Sequence, residues 1–258
     1  FLSENLPEDV YNQNDVLAPS EIISSFTFHR YTKQLVITAN DHKHPNELYV
    51  GLYNSKKMKR ITFSNTALEK VQFARQETIS WKARDGKTIQ GVLTYPLVYR
   101  DGKRYPLILQ IHGGPEGVSL DGWNTRVTYP IQLLAANGYF VLEPNYRGSA
   151  GRGVAFSKLD HDDLGGEEFN DVLKGIDHLI EEGFVDKNQV GTGGWSYGGY
   201  FSALGATRNS DRFKASMVGA GLTNMISFMG TTDIPYEMSI VHWNQWCCLL
   251  YTSPSPRD

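Results

Sequence analysis

The sequence predicts an α/β protein in which a parallel sheet is wrapped by helices, with a β-rich segment before it. Residues 106–111 form a mainly apolar run of the kind found in strands buried on both faces. Apolar residues between 169 and 180 recur at helical spacing. Four short β-type runs, separated by turn residues, occupy the first 63 residues. Together these patterns indicate two regions of different architecture.

The β-rich segment carries runs at residues 22–28, 34–39, 47–53 and 58–63. This spacing, with turn signals between the runs, favours antiparallel strands. They could form one propeller blade, halves of two neighbouring blades, or a small sandwich. The sequence shows no second copy of the unit, so no internal repeat distinguishes these possibilities.

Strands and helices alternate after Lys70. A hairpin is predicted at residues 78–94, around the turn Asp85-Gly86. We expect further strands at residues 106–111, 139–142, 189–192 and 213–218, with helices between them, the first at about 127–136. A second helix should bury one face, which consists of Phe169, Val172, Leu173, Ile176, Leu179 and Ile180. This alternation predicts a parallel sheet and a domain boundary near residues 64–77.

Composition excludes several functions. The chain has 25 Lys and Arg against 28 Asp and Glu, a net charge of −3, and no run of five like charges. This argues against an electrostatic nucleic-acid binder or a polybasic membrane protein. No apolar run reaches the 18 residues of a membrane span. No metal-ligand spacing occurs, so we expect neither a metal nor a cofactor.

The motif Gly194-Trp195-Ser196-Tyr197-Gly198 matches G-x-S-x-G between a predicted strand and a predicted helix. In that context the pattern indicates a nucleophile elbow, a sharp turn that exposes the serine hydroxyl. Flanking glycines are required because strand and helix approach closely there. Ser196 is therefore the candidate nucleophile, and the backbone N–H of Tyr197 is a candidate oxyanion donor.

A second oxyanion donor is expected from His112-Gly113-Gly114-Pro115, which follows the strand at 106–111. The donor could be a backbone N–H of this loop or the His112 side chain. Alternatively, His112 is a structural turn residue. The run Asn145–Ser149 follows the next strand and could order a loop near the site, or be purely structural. We expect Arg147 to pair with a carboxylate such as Asp171.

The general base and acid are not evident. Asp211 or Asp233 followed by His242 satisfies the hydrolase order of serine, acid and histidine. Only one predicted strand follows the elbow, however. We therefore interpret His242 as a local structural residue and expect the acid and base to have been lost by truncation, which would leave this fragment nearly inactive.

The motifs together resemble the prolyl oligopeptidase family of serine peptidases, over roughly residues 20–246. The residues that carry the resemblance are Asp85-Gly86, Tyr105-Pro106-Leu107, His112–Pro115, Asn145–Ser149 and Gly194–Tyr200. A tryptophan directly before the serine, as in Trp195, resembles the dipeptidyl peptidase branch of the family. The segment Gly230–Pro235 instead resembles the acylaminoacyl peptidase branch.

The resemblance implies a partial α/β-hydrolase fold, with a β-propeller that restricts access to it. Residues 1–63 would then be the C-terminal part of the propeller and residues 64–247 the N-terminal part of the peptidase domain. The implied function is hydrolysis of short peptides through an acyl-enzyme on Ser196. The alternatives are a carboxylesterase and a catalytically inactive homologue that binds peptides.

Both ends of the chain look incomplete. It begins at Phe1, so the compartment stays open between cytoplasm and periplasm. Residues 248–258 resemble a translated sequencing adapter. The only cysteines, Cys247 and Cys248, lie at that boundary, which argues against a disulfide-rich ectodomain. The sequence makes no prediction of oligomeric state.

Overall fold

The computed structural model describes residues 22–53, 55 and 57–243. Within them the chain forms two compact units, one of residues 22–73 with Leu120–Thr125, the other of Ala74–Ser119 with residues 126–243. The segment that resembles an adapter, with Cys247 and Cys248, lies outside the described residues.

The first unit is a four-stranded antiparallel sheet with the strands in chain order. Its strands are β1 (Ile22–His29), β2 (Gln34–Asp41), β3 (His44–Leu52) and β4 (Met58–Arg60). The buried core is small and consists of Ile37, Ala39, Tyr49 and Met58. Several large apolar side chains of the sheet are instead exposed, among them Phe26 at 74%.

The segment Leu120–Thr125 belongs to this first unit although it is distant in sequence. The backbone N–H of Trp123 donates a hydrogen bond of 2.8 Å to the Asn40 side-chain oxygen, and the Trp123 ring packs edge-on against Phe73. Sequence periodicity did not indicate this association, because it depends on contacts between residues that are far apart in the chain.

The second unit is built on a six-stranded sheet. Its strands are β5 (Gln76–Lys82), β6 (Thr88–Thr94), β7 (Tyr105–Ile111), β8 (Phe140–Asn145), β9 (Val185–Trp195) and β10 (Ala215–Gly219). Their order across the sheet is β10-β9-β7-β8-β6-β5. The first four strands in this order are parallel, as the alternating pattern predicts. The β5–β6 hairpin extends the same sheet in antiparallel orientation, so the sheet is mixed.

Helices connect these strands. They are α1 (Ile131–Ala136), α2 (Val154–Ser157), α3 (Glu167–Glu181), α4 (Tyr197–Thr207) and α5 (Met225–Thr231), followed by a π-helical turn at Glu237–His242. Helix α1 begins four residues later than the sequence predicts. Pro130 stands at its N-cap, a position that fits proline because the ring is tolerated only where the missing N–H has no helical partner.

The predicted buried face of α3 is confirmed. Phe169, Val172, Leu173, Ile176 and Leu179 lie in the main core, whereas Ile180 is half-buried at its edge. These side chains pack in one cluster with the strand residues of β7 and β8, so the helix covers the sheet through burial of apolar surface. None of the helices in the described part of the chain has the length and hydrophobicity required to cross a bilayer.

A buried ion pair fixes α3 to the end of β8, and it confirms the predicted partner of Arg147. The guanidinium donates hydrogen bonds of 2.8 Å from Nε and from Nη2 to the two carboxylate oxygens of Asp171. Both side chains are buried, at 6% and 1% exposure. Arg147 also reaches Asp85 in the hairpin turn, at 3.2 Å. One arginine thus joins three segments of the second unit.

Removal of the buried carboxylate charge should destabilise the chain far more than removal of the exposed one. Asp171→Asn leaves Arg147 without its buried charge partner, and we expect the free energy of unfolding to fall by about 3 kcal/mol. Asp85→Asn is the matched control, because Asp85 is partly exposed and its pair with Arg147 should contribute less than about 1 kcal/mol. Urea denaturation measures both losses. Equal losses would contradict this account.

Candidate active site

The turn at Ser196 has the strained backbone that the sequence motif predicts. Ser196 lies between β9 and α4 with φ 59° and ψ −120°. A positive φ is sterically unfavourable for a residue that carries a Cβ, so the surrounding structure must impose it. The Ser196 N–H donates a hydrogen bond of 2.9 Å to the Gly219 carbonyl at the end of β10, which fixes the turn from the neighbouring strand.

Glycines make this turn possible because backbone occupies the space of their missing side chains. A methyl group on Gly194 would lie 2.5 Å from the Gly198 carbonyl carbon and 2.7 Å from the Ile111 carbonyl oxygen. A methyl group on Gly198 would overlap that same Ile111 oxygen, and one on Gly199 would overlap the Gly219 oxygen. Strands β7, β9 and β10 therefore meet the first turn of α4 at backbone contact.

The loop after β7 lies directly beside the serine. A methyl group on Gly113 would lie 2.9 Å from the Trp195 carbonyl oxygen, closer than side chains approach, and 3.2 Å from the Cβ of Ser196. The position therefore requires a residue without a side chain. This close approach places the backbone of the loop next to the hydroxyl of Ser196, where the sequence predicts the second oxyanion donor.

Both ring nitrogens of His112 are engaged within the protein. Nδ1 lies 2.9 Å from the carbonyl oxygen of Gly113, and Nε2 lies 3.0 Å from the hydroxyl of Ser149. A carbonyl oxygen only accepts, so Nδ1 carries the proton and Nε2 accepts from Ser149. Burial lowers the pKa of His112 to about 4, although the hydrogen bond to Gly113 acts in the opposite direction. The imidazole is consequently neutral at pH 7.

The segment after β8 orders the His112 loop, one of the two roles that the sequence left open for it. The Tyr146 ring stacks on the imidazole at 4.6 Å, and its hydroxyl donates to the His112 carbonyl at 3.1 Å. Asn145 holds Ser119, further along the same loop, through two hydrogen bonds of 2.8 Å to its backbone. Sequence analysis named the run that contains Tyr146 and Ser149 but not their individual contacts with His112, because those contacts cross between adjacent strands.

A cavity of about 150 Å³ opens at Ser196 and Tyr197. Its apolar lining consists of Pro115, Leu164, Leu222, Phe228, Ile234 and Met238. Thr232, Asp233, Glu237 and His242 supply the polar lining. A mainly apolar cavity with a nucleophile at its edge suits a substrate side chain next to a reacting carbonyl.

His242 and Asp233 thus share the cavity with Ser196, but the carboxylates nearest the His242 ring are Glu116 and Glu237. The His242 ring is 3.9 Å from Glu116 and 3.9 Å from Glu237, and its Nδ1 has no hydrogen-bond partner among the described residues. Burial lowers the pKa of His242. In the part of the chain that the structure describes, no hydrogen bond joins the Ser196 hydroxyl to a histidine. Asp211 lies after α4 and is not among the residues that line the cavity.

Sequence analysis missed one carboxyl group at the site, Glu168 in the first turn of α3. It is fully buried and accepts a hydrogen bond from the Tyr197 hydroxyl. The signal was present in the helical spacing, since Glu168, Val172, Gly175 and Leu179 occupy one buried face. An acidic residue on such a face indicates a specific buried partner.

No group of three or more His, Cys, Asp or Glu side chains is arranged to hold a metal ion within residues 22–53, 55 and 57–243. What the arrangement offers is a half-buried serine on a strained turn and a glycine loop at its side. The first N–H groups of a helix also lack partners within the helix, and Tyr197 is the first residue of α4.

Comparison with known proteins agrees with this geometry. Residues 125–247 match the profile of the prolyl oligopeptidase family, Peptidase_S9. The chain is 32% identical over 225 residues to an uncharacterized peptidase of Bacillus subtilis, YuxL, a match that covers 84% of this chain and 32% of that protein. It is 34% identical over 154 residues to mouse dipeptidyl peptidase 8, covering 59% of this chain and 17% of that one.

Solved structures show the same fold. The acylaminoacyl peptidase of Pyrococcus horikoshii aligns with a TM-score of 0.76 at 26% identity, covering 88% of this chain and 36% of that one. A dipeptidyl aminopeptidase IV homologue of Bacteroides ovatus aligns at 0.66 and 26%, covering 75% and 28%. The second unit accordingly has the α/β-hydrolase fold, and the chain spans about a third or less of the relatives it matches. The predicted resemblance is confirmed, because residues 125–247 carry a domain of the prolyl oligopeptidase family.

Proposed function

We propose that the protein is a serine peptidase that hydrolyses short peptides through an acyl-enzyme on Ser196. The observation that carries this proposal is the strained turn, which presents the Ser196 hydroxyl at the mouth of a cavity beside two sources of backbone N–H groups. Attack by the hydroxyl oxygen on a peptide carbonyl would place negative charge on the carbonyl oxygen. Pre-aimed N–H groups stabilise that charge without reorganisation.

The two N–H donors are assigned from the positions of the backbone. The first is the N–H of Tyr197, at the start of α4. For the second we favour a backbone N–H of the loop that begins at His112 over the imidazole, because both ring nitrogens of His112 have partners. His112 then acts by shaping the loop, and Gly113 is the residue that brings it to the serine.

The base and acid of the proposed reaction are not His242 with Asp233 or Asp211. A general base has to lie within hydrogen-bond reach of the nucleophile, and His242 instead contacts Glu116 and Glu237. In the described sheet only β10 follows the elbow. Neither Asp211 nor Asp233 therefore lies on a loop after a strand later than β10. The substrate is a peptide in this proposal, as the family suggests.

We also propose that residues 1–63 are the C-terminal part of a β-propeller and residues 64–247 the N-terminal part of the peptidase domain. A four-stranded antiparallel sheet is the architecture of one blade. The four-residue core of the first unit, with large apolar side chains left exposed on its strands, supports a sheet that packs against neighbours.

The nucleophile is tested by labelling the full-length protein with a fluorophosphonate probe. We expect stoichiometric labelling of the wild type and none of Ser196→Ala, since the probe reacts with the activated hydroxyl. Ser202→Ala is the matched control, because Ser202 lies in α4, next to the turn, and its hydroxyl donates a hydrogen bond to the Gly198 carbonyl. Labelling that survives Ser196→Ala would refute the assignment. Turnover of p-nitrophenyl esters without peptide cleavage would indicate an esterase, and a protein that never labels would be a peptide-binding homologue.

The His112 loop is tested with Gly113→Ala. The added methyl group would press on Ser196 and on the Trp195 carbonyl, so we expect the labelling rate to fall about 100-fold. Gly230→Ala, in α5, is the control, because nothing lies within 4 Å of a methyl group there. Equal rates for the two variants would show that the loop does not serve the reaction.

If His242 is a structural residue, its replacement should have little effect on the reaction at Ser196. His242→Ala in the full-length protein should change the labelling rate by less than about 5-fold, whereas loss of a triad histidine costs several orders of magnitude. A decrease of 1,000-fold or more, with an unchanged melting temperature, would make His242 the general base.

A further inference from the structure

Glu168 is a buried acid attached to the residue that follows the proposed nucleophile. Its Oε1 accepts a hydrogen bond of 2.6 Å from the hydroxyl of Tyr197 and one of 2.5 Å from the backbone N–H of Gly165. Its Oε2 is buried without a hydrogen-bond partner among the described residues. The carboxyl group therefore connects α3 and the turn before it to the first residue of α4.

The surroundings of Glu168 hold it in the neutral form. Burial raises its pKa to about 8, although the hydrogen bonds from Tyr197 and Gly165 act in the opposite direction. The titratable groups that face it are the hydroxyls of Tyr197 and Tyr146 and the buried carboxyl of Asp160, and none of these is a cation. A carboxylate without a cationic partner is costly in the interior, so Glu168 is largely a carboxylic acid at pH 7.

Tyr197 is held at both ends as a result. Its ring packs against Phe201 at 5.1 Å and against Tyr200 at 5.5 Å, and Glu168 holds its hydroxyl. Its backbone begins α4 immediately after the strained turn. Any tilt of this side chain would be transmitted to the N–H group one residue beyond Ser196.

We propose that Glu168 is a positioning residue for the reaction at Ser196, and that its hydrogen bond to the Tyr197 hydroxyl fixes the N–H group that faces the developing oxyanion. This inference rests on the proposed function. Glu168 does not touch the substrate in it. The neutral acid supplies an acceptor for Tyr197 without a negative charge behind the oxyanion, which a carboxylate at the same position would repel.

A dependence on pH follows, and its sign is set by the raised pKa. The folded state binds a proton at Glu168 that the unfolded state releases near its ordinary pKa of 4.5. The contribution of Glu168 to stability is therefore complete below pH 4.5 and declines as the pH rises to about 8. Above about pH 8 the ionised group should also weaken the reaction at Ser196.

The test compares Glu168→Gln, Glu168→Leu and Tyr197→Phe in the full-length protein, by the rate of fluorophosphonate labelling from pH 6 to 10. Glutamine keeps the carbonyl acceptor and cannot ionise. We expect it to label within about twofold of the wild type at pH 7, whereas leucine and Tyr197→Phe, which lack the hydrogen bond, should be about tenfold slower. The ratio of the Glu168→Gln rate to the wild-type rate should rise with pH, with a midpoint near 8.

Glu181→Gln is the matched control, because it makes the same substitution at the exposed end of the same helix. Its ratio to the wild type should stay near one at every pH. A flat ratio for Glu168→Gln, or equal losses for the glutamine and leucine variants at pH 7, would overturn the positioning role while leaving Ser196 as nucleophile. Labelling that survives Ser196→Ala would overturn the proposed function and this inference together.

Discussion

The contact of three strands with one helix at the level of the backbone is the constraint on which the site depends. Gly194, Gly198 and Gly199 remove every side chain from this junction, so that β7, β9 and β10 approach the start of α4 directly. Ser196 projects its hydroxyl from this junction on a backbone with positive φ. The strain persists because the sheet and the helix determine the path of the chain on both sides.

Polar groups of the second unit are arranged around this junction in two layers. The inner layer is the loop after β7, which the segment after β8 fixes through the contacts of Tyr146 and Ser149 with His112. The outer layer is charged, with Arg147 joining α3 to the hairpin turn through Asp171 and Asp85. His112 is neutral at pH 7, and Arg147 pairs with Asp171 and Asp85 rather than with Ser196 or His112. The inner layer thus supplies neutral dipoles beside Ser196.

Relatives of this chain are named as dipeptidyl and acylaminoacyl peptidases, and the two branches share the fold described here. The chain covers about a third or less of their length. The second unit holds the elbow, the glycine loop beside it and the buried groups that support each.

The sequence by itself determined the strand and helix alternation, the elbow at Ser196 and the ion pair between Arg147 and Asp171. These follow from local periodicity, from the steric needs of glycine, and from the requirement that buried charge be paired. Only the tertiary structure decided that the hairpin joins the main sheet, that the ring of His112 is occupied by Gly113 and Ser149, and that Glu168 holds Tyr197. Each of these contacts joins segments or atoms whose proximity is set by strand order and loop path, which residue spacing does not encode.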